Sequence, residues 1–154
     1  MDNAKLGGGG ERFRVAPPWL TRIDHTADEG IVVTAPDPGA LFARAAWGMF
    51  SILTDLSRVQ ARERSEVVVE APDVEALLVR WLSELNYRHV TERRVYCQFE
   101  VAEVDGTRLR GTAAGERIRP GRHRIHCEIK AVTFHGLRVE QTADGWRAAV
   151  IFDV

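Results

Sequence analysis

The chain has 154 residues, 45% of them hydrophobic, and a formal net charge of −1 from 21 basic and 22 acidic side chains. That length matches one domain of the usual size, about 100–150 residues, and it supplies a core that needs no disulfide or structural-metal staples. The near-neutral charge argues against a domain that grips nucleic acid by its overall field, and no apolar run reaches the roughly 18–20 residues of a membrane span.

The first residues, MDNAKLGGGG, carry no apolar stretch of the signal-peptide kind. Cys97 and Cys127 lack CxxC spacing and read as two reduced residues with no disulfide partner. Both observations point to a cytoplasmic protein without a membrane partner. Residues 1–18 hold Gly7 to Gly10 and Pro17-Pro18, a composition that reads as a flexible leader to a single domain over 19–154. A phosphate loop is excluded there, since no Gly-Lys-Ser/Thr enters a helix after a strand.

In chain order, Ile31-Val32-Val33 reads as a strand stopped by Pro36-Asp37-Pro38. Asp37 is placed to cap a helix with Pro38 at its first position. Phe42, Ala45, Ala46, Met49, Leu53 and Leu56 then recur at helical spacing, giving a first helix over about 38–56. Ser65–Ala71 reads as a strand, and Pro72-Asp73 repeats the stop-and-cap signal. A second amphipathic helix follows, with Val74, Leu77, Leu78, Trp81, Leu82 and Leu85 on its apolar side. From Val95 the period changes to two, through Val95, Cys97, Phe99 and Val101. Asp105-Gly106, His135-Gly136 and Asp144-Gly145 read as turns, and the alternations Ile125–Ala131 and Trp146–Phe152 as further strands. The expected class is α+β: one mostly antiparallel sheet with the two amphipathic helices packed on one face.

Chemistry-bearing residues gather in few places. Asp24-His25-Thr26-Ala27-Asp28 sets two carboxylates, an imidazole and a hydroxyl in five residues, a pattern that serves either a structural turn or a ligand site. Asp153 and Val154 directly follow the last apolar alternation. If that strand lies in the sheet, the Asp153 carboxylate and the Val154 α-carboxylate are held side by side. With Asp28, these oxygens suit a hard cation such as Mg²⁺ or Ca²⁺. Lys130 shares a side with His126 and Glu128, either as a solvent-facing strand residue or as a cation for Asp28, Asp153 or an anionic partner. His123, His126 and His135 lack zinc-ligand spacing, no GxSxG elbow is present, and Glu116 and Glu84 are unassigned acids.

Six separated runs resemble the archease family. They are Asp24 through Gly30, Ala45 through Phe50, Trp81 through Leu85, Gly115-Glu116, Ile129 through His135, and Asp144-Gly145-Trp146 with Ile151 through Val154. In order they span residues 20 to 154. The resemblance implies an α+β accessory protein, not itself an enzyme, for an RtcB-type RNA ligase in tRNA splicing or RNA repair. It would promote GTP-dependent guanylylation of the ligase and its multiple turnover, touching GTP and RNA only through that ligase. The resemblance further implies a divalent metal site (Ca²⁺ or Mg²⁺, with Mn²⁺ as a third choice) at Asp28, Asp153 and Val154. Lys130, Asp24, His25 and Glu116 are the expected partner or activation residues. The alternative is a stand-alone metal-dependent phosphohydrolase using the same acids. Arg117, Arg119, Arg122, His123 and Arg124 cluster after Gly115-Glu116, as solvated charge or as a contact for RNA or the ligase.

Overall fold

Two aspartates start the two helices. A computed structural model of the chain describes residues 16–24 and 28–154. The leader before residue 16, together with His25, lies outside the described residues. Helix α1 spans Pro38–Leu53, and the Asp37 carboxylate accepts from the Ala40 N–H at 2.8 Å. Helix α2 spans Val74–Glu92, and Asp73 accepts from the Ala76 N–H at the same distance. In both cases a side-chain oxygen satisfies a donor that has no partner inside the helix, as the Pro-Asp signals foretold. The first helix ends at Leu53 instead of 56, because Thr54 and Asp55 turn the backbone away. Thr54 Oγ1 donates to the Arg124 carbonyl at 2.7 Å, Asp55 accepts from the Ser57 N–H, and a short 3-10 turn covers Leu56–Arg58.

Among the described residues seven strands divide between two antiparallel sheets, where a single sheet was expected. Strands β1 (Leu20–Asp24), β2 (Asp28–Ala35), β6 (Ala131–Thr142) and β7 (Gly145–Asp153) form one sheet in the order β1-β2-β7-β6. Strands β3 (Glu63–Glu70), β4 (Arg94–Val104) and β5 (Arg108–Arg117) form the other, in the order β3-β5-β4. The class is α+β with strands predominating. The helices lie between the sheets: α1 touches β2 and β7 on one side and β4 on the other, while α2 touches β6 on one side and β3, β4 and β5 on the other. Each sheet therefore has one face covered by helices.

This middle position explains why α1 is apolar well beyond one stripe. Leu41, Phe50 and Ile52 are buried as well as Phe42, Ala45, Ala46, Met49 and Leu53. A helix covered on two sides must be hydrophobic on both. Phe50 sits where the layers meet, 5.4 Å from the Tyr96 ring and 5.6 Å from Phe99. No described helix is long and apolar enough to cross a membrane.

Three local expectations change. The alternation at 125–131 is not a strand, since β6 begins only at Ala131. Ile129 is buried and His126, Glu128 and Lys130 are exposed, so the period of two is real, but it belongs to an extended segment laid over the helix ends. The His126 N–H bonds the Leu53 carbonyl, and Asn86 Nδ2 donates to the Ile129 carbonyl. His135-Gly136 is not a hairpin turn. Pairing in β6 jumps from Thr133 opposite Ile151 to Arg138 opposite Ala149, and Gly136 adopts φ +68° inside this bulge. Leu20–Asp24, whose pattern gave no strand signal, is the edge strand β1. Asp105-Gly106 and Asp144-Gly145 do join hairpins, β4 to β5 and β6 to β7.

Gly115 shows how tightly β4 and β5 meet. A Cβ there would lie 1.9 Å from the Val95 carbonyl oxygen.

Candidate acidic site at one sheet end

Strand register brings Asp28 and Asp153 together across 125 positions of sequence. They are direct partners in the antiparallel pairing of β2 with β7, which puts their side chains on the same face of the sheet. Asp153 is also opposite Ala131 in β6, and its carbonyl accepts from the Lys130 N–H at 2.7 Å. Lys130 therefore stands at the start of β6, not inside it as expected, one residue from the partner of Asp153. Val154 packs its side chain on the hydrophobic core, which anchors the backbone just past Asp153.

Asp24 belongs to the same sheet end but to the opposite face. It pairs with Glu29, and by the alternation of a strand Glu29 lies on the other side from Asp28. Glu29 in turn is held by Arg22 at 2.8 Å. Asp28 and Asp153 have no ion-pair partner among the described residues, and neither does the Lys130 ammonium. Like charges directly opposite in a ladder are destabilising. The sheet thus tolerates a repulsive pair at a position where asparagine or threonine would fit.

As a hard-cation site, this donor set is all oxygen. Among the described residues no group of three or more His, Cys, Asp or Glu is arranged to hold a metal ion. Asp28 and Asp153 supply two carboxylates, and any further ligand comes from Val154, other backbone carbonyls or water.

Glu116 is not part of this group. It lies in β5, in the other sheet, with its side chain only 2% exposed. Its oxygens accept from the Gln60 N–H at 2.7 Å, Arg62 Nε at 3.1 Å and His123 Nε2 at 3.0 Å, with Arg122 Nε at 3.5 Å. The Arg119 N–H donates to His123 Nδ1, so the ring's remaining proton sits on Nε2 and points at Glu116. Burial alone would push the Glu116 carboxyl up, but the Gln60 N–H, His123 and Arg122 together hold it below its usual 4.5. Its contribution to stability is therefore complete above that usual value and is lost as pH falls through the lower folded value. Glu116→Gln should remove this acid-limb dependence, and at neutral pH it should cost on the order of 2–3 kcal/mol. Denaturant unfolding of both forms at pH 4 and pH 7 measures it. An unchanged difference between the two pH values would contradict the assignment.

The two cysteines, Cys97 and Cys127, are held as thiols. Both are free, and burial, helped by the charge of Glu116, pushes the Cys97 thiol up to about 11. It is protonated and unreactive at neutral pH.

Sequence reasoning linked Asp28, Asp153, Val154 and Lys130 by family likeness, and the fold brings them to one sheet end. It missed the neighbours that approach from distant segments. Arg58 and Arg122 each donate through Nε to the other's carbonyl, both at 2.9 Å, and the Ile118 N–H bonds the Arg93 carbonyl. No spacing rule relates residues 64 positions apart.

Comparison with known proteins agrees with this architecture. The model of the Archease protein family matches residues 21–154. The archease of Methanopyrus kandleri is 39% identical over 140 residues, covering 89% of this chain and 99% of the relative. That of Methanosarcina mazei is 36% identical over 136 residues, covering 86% and 93%. The solution structure of Methanobacterium thermoautotrophicum protein 1598 superposes with a TM-score of 0.75 at 36% identity, covering 88% of this chain and 99% of that one. The crystal structure of a Thermotoga maritima archease shares the fold alone, with a TM-score of 0.57 at 18% identity. By sequence and by architecture, this chain belongs to the archease family.

Proposed function

We propose that the protein is an accessory factor and not a catalyst: a cytoplasmic activator of an RtcB-type RNA ligase, acting through a divalent cation held at Asp28, Asp153 and Val154. The observation that carries this reading is the direct opposition of Asp28 and Asp153 with no neutralising partner among the described residues. A repulsive pair held at a sheet end by register is a cost that cation binding removes. Mg²⁺ and Ca²⁺ match the oxygen donors, with Mn²⁺ as a third candidate.

Each residue then has a task. Asp28 and Asp153 bind the cation from two neighbouring strands, and the packed Val154 side chain fixes the backbone beside Asp153. When bound, the cation offers a positive centre to phosphate oxygens such as those of GTP in the ligase site. Lys130, exposed and tied through its N–H to the Asp153 carbonyl, offers an ammonium to an anionic group of the partner. Asp24 ends the first strand at the same sheet end, and it and His25, the next residue in sequence, are offered to the partner. Glu116 has a positioning role, since its charge is spent on Gln60, Arg62 and His123.

The test is labelled-GTP transfer to an active cognate ligase with catalytic amounts of this protein. Many guanylylation events per molecule of activator are expected. Absence of stimulation would reject the reading, and phosphate release by this protein alone would favour the phosphohydrolase instead.

A further inference from the structure

Arginine is concentrated at one edge of the second sheet, where β4 begins and β5 ends. Lys5 and Lys130 are the only lysines, so 19 of the 21 basic residues are arginine. Five of them form a continuous shoulder. Arg117 ends β5 opposite Arg94, next to Ile118, whose N–H binds the Arg93 carbonyl. Arg119 begins the turn that is closed by its carbonyl accepting from the Arg122 and His123 N–H groups. Arg122 is locked to Arg58, and the Arg124 carbonyl is held by Thr54. Arg58, Arg93, Arg117, Arg119 and Arg124 are all exposed. None has a carboxylate partner among the described residues, whereas Arg64, Arg94, Arg108 and Arg110 on the same sheet all do.

The shoulder is also built to stay in place. Glu116 points inward onto Gln60 and His123, so it pins the backbone that carries the arginines, and the exposed Glu92 beside Arg93 is engaged by Arg94. One extended segment of six residues runs from Arg124 to Lys130, a span of up to about 22 Å, so the arginines and the acidic pair are two separate surfaces. Guanidinium groups recognise phosphate oxygens in a planar, two-pronged geometry, and arginine is preferred over lysine where such contacts are made.

We infer that this arginine shoulder binds the phosphodiester backbone of single-stranded RNA directly. The protein would then hold RNA itself and not touch it only through the ligase. An overall charge of −1 hides the shoulder because net charge is a sum over the chain, whereas these five arginines have no carboxylate partner among the described residues. Contacts of this kind go to phosphate oxygens and carry no base preference.

This inference is independent of the metal reading, and its test uses the full chain without ligase or metal. A fluorescein-labelled oligouridine of about twenty nucleotides is titrated at about 50 mM salt and above, followed by anisotropy. Wild type should bind with an affinity that falls steeply with salt. The triple variant R117A/R119A/R124A, at exposed positions and checked for an unchanged unfolding temperature, should bind roughly tenfold or more weakly, and its log–log salt slope should shrink by about 2. Asp153→Ala should bind RNA at least as well as wild type. No RNA binding by the wild type at low salt, or undiminished binding by the triple variant, would overturn the inference. If the wild type fails to bind RNA and the folded triple variant also fails to stimulate the ligase, the shoulder belongs to an acidic protein surface.

Discussion

Asp153→Asn should abolish stimulation of ligase guanylylation while leaving the fold as stable as wild type or slightly more so. The two halves of this expectation have one origin. Asp153 is exposed at the end of β7, so the amide meets no steric obstacle, and it removes a like-charge pairing with Asp28 that the sheet otherwise has to tolerate. The same change removes half of the side-chain carboxylates available to a cation. Asp28→Asn should behave alike, and the double variant should be no worse than either single one, because both act through one bound ion. Guanylylation assays beside thermal unfolding measure both properties. A variant that is inactive and clearly less stable would move the acids from function to folding, and an active one would remove the cation from the mechanism. Calorimetric titration with Mg²⁺, Ca²⁺ and Mn²⁺, with and without Asp153→Asn, separates binding from activation.

Trp81→Ala should produce the largest loss of stability of any single change in the core. Trp81 is fully buried, its ring lies over Gly111 in β5 at a distance where a Cβ would come within 3.3 Å, and its Nε1 donates to the Phe42 carbonyl in α1 at 2.9 Å. One side chain of α2 thus spans the contact with α1 and with the second sheet. Truncation removes the transfer energy of the ring and leaves a cavity in a middle layer that two sheets hold open, at a cost of about 3–5 kcal/mol. For a chain of this size each kcal/mol lowers the unfolding temperature by roughly 2–4 °C, so a drop on the order of 10 °C is expected. Trp81→Phe keeps most of the volume and loses the hydrogen bond. The Phe42 carbonyl remains inside helix α1, so this variant should cost only about 1 kcal/mol beyond the smaller ring. If the two variants were equally damaging, the hydrogen bond and not the packing would be the main contribution. Activation by the folded fraction should persist in both, since Trp81 lies where α2 meets α1 and the second sheet, whereas the acids lie in the first sheet.

The same two positions mark how far the chain could be understood before its fold was known. Asp37 and Asp73, each beside a proline and ahead of a helical apolar pattern, define the helix starts, because capping is a contact between residues three apart. Asp105-Gly106 and Asp144-Gly145 define hairpins for a similar reason. The helical stripe that contains Trp81 is equally plain. The family motifs single out Asp28, Lys130, Asp153 and Val154, but as a set of names without geometry.

Relations among distant segments needed the tertiary structure. A period of two at 125–130 marks an extended chain with one side covered, and the cover turned out to be helix ends, not a neighbouring strand. The split into two sheets follows from α1 being apolar on both sides, a property that one stripe of Phe42, Ala45 and Met49 understates once Leu41, Phe50 and Ile52 are buried too. Glu116 had the look of an exposed site acid until its burial against Gln60 and His123 gave it a positioning role. Net charge is a sum over the chain, whereas a field depends on where each charge sits. Local signals decided the elements and the family, because they rest on neighbours in sequence. Register and layer packing alone decided that Asp28 faces Asp153 and that arginines from residues 58, 93 and 117–124 meet on one shoulder.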